Sequence, residues 1–253
     1  MRVKLILTAM QRATLLPLNY QHAVAAMIYA TLGQASATFA ARLHDTGFQT
    51  DGRTFKLFTF SRLVTARSRL MGDKLLLAEP TVYLQLASPV GDFIEHFVAG
   101  LFQCATFNIA GAQFRLTEAE TLPVPVFTNR MRFRALSPVT ESSDEGQKHP
   151  RFLAPEDDWS EIIRQNLLRK HRALHGHEPE DTQLRWTWDQ AYLADAARLG
   201  RRASVLTDIR GIKVRGWLAP FIVEGSLELI ELGYEAGFGS RNSMGFGMAE
   251  LRQ

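Results

Sequence analysis

The order of strand and helix signals along these 253 residues predicts an α+β chain with antiparallel sheets, built as two similar halves in tandem. Three observations carry that reading. Short runs alternate apolar and polar residues, while other segments repeat apolar residues at helical spacing. The run Leu122-Pro123-Val124-Pro125 cannot sit inside a sheet and falls near the midpoint. The element order before that run recurs in outline after it.

Residues 1–10 place Val3, Leu5 and Leu7 on one face and Arg2 and Lys4 on the other, which predicts a strand. Pro17 and Asn19 open a helix through residue 32, with Ala23, Met27 and Ala30 at helical spacing, and Gly33 is expected to close it. Ser36 is placed to cap a second helix that carries Phe39 and Leu43 and stops at Gly47. After the loop at Gly52, residues 55–63 are rich in aromatic and apolar side chains and read as a strand. Strands at 74–79 and 81–88 flank Pro80. A helix over 91–102 has Phe93, Ile94, Phe97, Val98 and Leu101 on one stripe. Strands at 106–109 and 113–120 close this half. The succession fits a ferredoxin-like (RRM-like) sandwich.

The Pro-containing run divides the chain into residues 1–121 and 122–253. A strand over 126–136 begins the second half, and the polar stretch 140–149 is expected to be mobile. The helix over 159–174 turns Ile162, Ile163, Leu167 and Leu168 inward. Strands follow at 184–188, 205–209 and 214–223, then a helix at 226–232. Residues 192–202 look like an inserted helix. Two tandem ferredoxin-like halves result.

At 46% hydrophobic the chain can bury a sizeable core. Its longest uninterrupted apolar stretch is residues 23–30, against roughly 18 needed to cross a membrane, so no membrane span is expected. Lys4, Thr8 and Arg12 interrupt the first apolar run, and no signal peptide is expected. A single cysteine, Cys104, forms no internal disulfide, suits a reducing cytoplasm and reads as a small core residue. The net charge of +3 is unevenly spread: seven acids and two bases between Glu141 and Glu161 leave a body of +8. Such a basic body is what a polyanion binder can show.

The most informative segment is residues 233–251, with five glycines between Gly233 and Gly247. Gly237, Gly239, Gly245 and Gly247 permit positive φ and close approach, so backbone amides could point at phosphates, and Arg241 adds a donor fork. A tight glycine hairpin packing Phe238 and Phe246 is the structural alternative. The spacing fits neither G-x-G-x-x-G nor G-x-x-x-x-G-K-[ST]. On the predicted strand at 126–136, Arg130, Arg132 and Arg134 share one face; like charges two apart repel unless a polyanion lies across them. Arg62, Arg67, Arg69, Lys213 and Arg215 are further phosphate candidates. His171, His175 and His177 have the spacing of zinc ligands, with Glu178, Glu180 and Asp181 near, but a solvated helix end accounts for them; no metal or cofactor is expected.

The segment G-F-G-S-R-N-S-M-G-F-G-M, following G-Y-E-A, is similar to the glycine-rich signature of the CRISPR repeat-processing endoribonucleases of the RAMP superfamily. The start agrees in order: L-P-L-N-Y-Q-H-A-V-A-A-M-I-Y at 16–29, A-A-R-L-H-D-T-G-F at 40–48 and F-K-L-F-T-F-S at 55–61. The resemblance implies two ferredoxin-like domains with repeat RNA bound near the cleft between them. It further implies metal-free cutting by 2′-hydroxyl attack, leaving a 2′,3′-cyclic phosphate and a 5′-hydroxyl. It places Tyr29, His44 and Lys56 as a catalytic set, and Gly237, Gly239, Arg241, Asn242, Gly245 and Gly247 on the RNA. Guide-RNA effector subunits and a homodimer are possible partners under the same resemblance. Read as residues, His44 suits proton transfer near neutral pH and Lys56 offers a compact charge to a phosphate. The alternative is a relative that holds repeat RNA without cutting it, or a structural subunit of a guide-RNA complex. A nucleotide-binding protein using the glycine loop is a third reading.

Overall fold

Alternation along the first residues becomes β1 (Arg2–Ala9), whose Val3, Leu5, Leu7 and Ala9 are buried. The computed structural model describes residues 1–104, 106–143, 150–209 and 211–252. A short β2 (Leu15–Pro17) leads into α1 (Gln21–Ala35) and α2 (Ala37–Asp45). A hairpin of β3 (Phe48–Thr50) and β4 (Arg53–Phe55) precedes β5 (Thr59–Phe60). Then come β6 (Ser68–Met71), β7 (Lys74–Leu77), β8 (Thr81–Ala87), α3 (Gly91–Gln103), β9 (Thr106–Ile109) and β10 (Ala112–Leu122).

These pair antiparallel in the order β5-β8-β1-β10-β9, with β1 flanked by β8 and β10. Placing the first strand between the third and fourth of a βαββαβ unit is the ferredoxin-like order. Val24 and Ile28 of α1 and Phe93 and Phe97 of α3 pack on Leu5, Leu7, Val82 and Leu84 of the sheet. Each such fully buried side chain stabilises by about 1.5–3 kcal/mol.

The second half starts at β11 (Arg130–Ala135) and continues through α4 (Trp159–His175), β12 (Leu184–Trp188) and α5 (Gln190–Arg198). A separate hairpin, β13 (Ser204–Ile209) and β14 (Ile212–Trp217), precedes β15 (Pro220–Gly225), α6 (Leu227–Ala236) and β16 (Ala249–Leu251). The sheet order β12-β15-β11-β16 repeats the ferredoxin-like arrangement. Its core is aromatic: Trp186 stacks on Phe221 at 3.9 Å between ring centroids, and Phe133 and Phe238 close around them.

Several boundaries depart from the sequence reading. Pro17 belongs to β2, paired with Lys74, and α1 runs past Gly33 to Ala35 before Ser36 breaks it. The expected strand at 55–63 is interrupted at Leu57, whose φ of 49° turns the chain between β4 and β5. Residues 214–223 are two strands in different sheets, because the chain leaves the β13–β14 hairpin at Leu218. The helix expected to end at 232 continues to Ala236, and the strand expected from 126 begins at Arg130. Within the stretch expected to be mobile, Thr140 and Glu141 are buried; residues 144–149 lie outside the described residues. None of the described helices is long and apolar enough to cross a membrane.

The halves meet along the glycine-rich segment. Thr59 Oγ1 donates to the Phe246 carbonyl at 2.9 Å, and Arg2 donates to the Tyr234 carbonyl at 2.8 Å. A side chain at Gly245 would meet the Phe60 ring at 2.6 Å, so the ring packs directly on the loop backbone.

Candidate active site

Tyr29 and His44 come from the two consecutive helices of the first half. Ser36 ends α1, and its hydroxyl accepts from the Phe39 amide at 3.2 Å to start α2, which folds His44 back over Tyr29. The two rings meet edge to face at 5.2 Å, and Tyr29 makes a similar contact with Phe58. Burial pushes the Tyr29 hydroxyl up to about 12, so it stays a protonated donor at neutral pH.

Lys56 reaches the same place through the hairpin. Gly47 has φ of +59°, and a side chain there would lie 2.6 Å from the Phe55 carbonyl, so only glycine turns the chain here. Phe48 then pairs with Phe55, and Lys56 is set opposite the end of α2. Its ammonium donates to the His44 carbonyl at 2.6 Å. Partial burial lowers the Lys56 pKa, while Asp45 opposes that shift. His44 Nδ1 lies 2.8 Å from Asp45 Oδ1, and its side chain is 68% exposed. A carboxylate on Nδ1 favours the tautomer whose Nε2 lone pair faces outward.

A groove of about 620 Å³, lined by Lys56 but not by Tyr29 or His44, runs between the halves. Arg53, Lys56 and Leu57 line one wall; Glu141, Lys170, Ser240, Arg241 and Ser243 belong to the other. Glu141 is buried, which raises its pKa, and Ser240 donates to it at 2.5 Å. Burial lowers the pKa of the Lys170 ammonium and Glu141 opposes that shift, and burial also lowers Arg241. Lys170 was not among the sequence candidates. The signal existed: it falls three residues after Leu167, on the stripe that carries Ile163 and Leu167 inward.

The glycine-rich loop is folded on itself rather than open to a ligand. A side chain at Gly247 would lie 2.0 Å from the Phe238 carbonyl, and one at Gly237 would strike Asn242. Several amides of the loop are used internally: Phe238 donates to Gly247, Ser240 to Thr140, Gly245 to Asn242 and Gly247 to Pro138. Asn242 is buried with both ends of its amide occupied, by Lys170 on Oδ1 and by the Phe238 and Phe246 carbonyls on Nδ2. Both of its amide protons are spent inside the loop. The loop's side chains on the groove are instead Ser240, Arg241 and Ser243, with Asn242 beneath them.

The arginine strand is also resolved differently. Arg130 pairs with Glu224 at 2.7 Å on β15, and Arg134 pairs with Glu250 on β16. Carboxylates on the flanking strands relieve the repulsion, so no polyanion is required there. Arg132 is exposed and opposes Ile222. His171 is buried, its ring nitrogens 2.8 Å from the His177 carbonyl and 3.1 Å from Glu228, and no set of three or more metal-ligating side chains occurs among the described residues.

Two ferredoxin-like halves therefore meet at a groove that carries Arg53, Lys56 and Arg241, with the glycine-rich loop at their junction. The profile described as "CRISPR-associated protein Cas6, N-terminal" matches residues 15–120, and "CRISPR associated protein Cas6, C-terminal" matches residues 122–251. The chain belongs to the Cas6 family of CRISPR-associated proteins. It is 29% identical to CRISPR-associated endoribonuclease Cas6 1 of Methanocaldococcus jannaschii, over 98% of this chain and 91% of that protein. CRISPR-associated endoribonuclease Cas6 of Pyrococcus furiosus is 25% identical over 98% of this chain and 88% of its own length. The solved structure titled "CRISPR associated protein Cas6" superposes with a TM-score of 0.79 at 27% identity, covering 100% of this chain and 99% of that one. A Cas6-related protein from Pyrococcus furiosus, at 23% identity, shares the fold with a TM-score of 0.84, covering 100% of this chain and 98% of its own.

Proposed function

We propose that the chain is a metal-independent endoribonuclease that binds CRISPR repeat RNA and cuts the precursor transcript into guide RNAs. The ribose 2′-hydroxyl attacks the adjacent phosphorus; the O2′–P bond forms, the P–O5′ bond breaks, and the products carry a 2′,3′-cyclic phosphate and a 5′-hydroxyl. The reaction needs a group to move the proton, a cation for the crowded phosphorane and a donor to orient it. His44 Nε2 moves the proton, as base or acid. Lys56 faces the developing charge, and the Tyr29 hydroxyl orients the phosphate.

The observation that carries this reading is that Tyr29, His44 and Lys56 come together, and that Lys56 also lines a groove shared with Arg53 and Arg241. The relatives named as Cas6 endoribonucleases support the substrate. Labelled repeat RNA incubated with the protein in EDTA should be cut to the ends named above, and a 2′-deoxy substitution at the cut site should abolish cutting but not binding. Cutting that requires Mg²⁺, or that tolerates the deoxy sugar, overturns the mechanism. A chain that holds repeat RNA uncut is the second reading. Under that reading His44 is idle.

A further inference from the structure

Lys170 is a lysine on the buried face of α4, and all three of its N–H bonds end on the glycine-rich segment. They run to the Gly237 carbonyl at 2.7 Å, the Gly239 carbonyl at 2.8 Å and Asn242 Oδ1 at 2.8 Å. An ammonium taken from water at this depth is tolerated only when each proton is received. The third bond also fixes which way Asn242 faces, and so sends its NH₂ to the Phe238 and Phe246 carbonyls.

Two of the three acceptors, Gly239 and Asn242, flank Arg241. That arginine has φ of 60°, a left-handed conformation rare for a residue with a side chain, and it lines the groove. Such a backbone persists only where its surroundings over-determine it. Lys170 pins both flanks from below, while the Ser240 hydroxyl bond to Glu141 and the Ser240 amide bond to Thr140 pin the residue between.

We propose that Lys170 is a positioning residue for RNA: from beneath the groove it holds the segment 237–247 in the one shape that presents the Arg241 guanidinium to a phosphate. The proposal rests on the groove being the RNA site. Its action passes through Arg241 rather than through contact with RNA.

The test is a double-mutant cycle on cleavage of labelled repeat RNA with K170M, R241A and the double variant. K170M should raise KM about tenfold while kcat at saturating RNA stays within about threefold of wild type, because Tyr29, His44 and Lys56 are held by the other half. The double variant should match R241A alone, since a residue acting through Arg241 has nothing left to act on. Independent, additive effects overturn the proposal, and so does a fall in kcat with KM unchanged, which reports a smaller folded fraction.

Backbone hydrogen exchange on the RNA-free protein supplies a second readout: K170M should lose protection within 237–247 and keep it in β1, β8 and β10. Unchanged exchange in the loop overturns the proposal even if the wild-type chain neither binds nor cuts repeat RNA, an outcome that would count separately against the reading of the groove. If K170M does not fold, K170Q, which keeps two donors, is put through the same measurements. Failure of both to fold assigns Lys170 to the fold as a whole and also overturns it.

Discussion

The Lys56 ammonium donates to the backbone carbonyl of His44 at 2.6 Å, so the groups read as cation and proton carrier are tied together by main chain as well as by proximity. The tie depends on a three-pair hairpin, Phe48 with Phe55, Gln49 with Thr54 and Thr50 with Arg53. The tip of that hairpin reaches the second half, where Arg172 on α4 pairs with Asp51 at 2.5 Å. One helix therefore contacts both the hairpin carrying Lys56 and, through Lys170, the glycine-rich loop.

His44→Ala is expected to slow cleavage by about 10² to 10⁴, the usual worth of a general acid or base, while repeat-RNA affinity stays within about twofold. Single-turnover cleavage and filter binding measure the two. Undiminished cutting would reassign the proton transfer to a group other than His44.

Gly47→Ala should lower cleavage without touching any charged group. Its side chain would press on the Phe55 carbonyl at 2.6 Å and adopt φ of +59°, displacing Lys56 from His44. A stability loss of about 1 kcal/mol or more in denaturant accompanies the rate loss. A variant with wild-type cleavage would show that the hairpin register does not matter.

Tyr29→Phe keeps the ring contacts with His44 and Phe58 and removes only the hydroxyl. Cleavage should fall about tenfold or less, as for one transition-state hydrogen bond. The same variant has a pH signature. Tyr29 is raised from 10.0 to about 12 in the folded chain, so between those values the native state holds more protons than the unfolded state and stability falls as pH rises. Removing the hydroxyl should flatten part of that alkaline decline; an identical pH-stability curve would show that the hydroxyl is not desolvated.

Glu224→Gln should raise the affinity for any polyanion that contacts β11, by releasing Arg130 from its 2.7 Å pair. The salt slope of repeat-RNA binding should then steepen by about one ion. No change in slope would place RNA away from this strand and leave the Arg130–Glu224 pair as a surface ion pair of small worth.

Much of the architecture was legible in the chain. The period-2 runs of β1 and β12, the apolar stripe of α3 and the Ser36 cap come from local chemistry, and the structure has each of them in place. Gly33 did not stop α1, which runs two residues further to Ala35 and gives way at Ser36, the cap of α2. Where reading failed at Leu57, long-range packing had overridden a local signal. Leu57 adopts a glycine-like φ because its side chain is buried against Leu232 and Ala236 from the other half. A window of neighbouring residues carries no trace of that contact.

The amino-acid order alone determined the two-part α+β plan, because alternation, helical spacing and caps act within a few residues; Tyr29, His44 and Lys56 were picked out by the resemblance of their segments to a known family. Only the tertiary structure decided that Glu224 and Glu250 quench two of the three strand arginines. It alone decided that Asn242 is consumed inside the loop and that Lys170 holds it there. The two ion pairs and the Lys170–Asn242 bond join groups 72 to 116 positions apart in the chain, and such pairings are set by how sheets and helices stack, which no local spacing encodes.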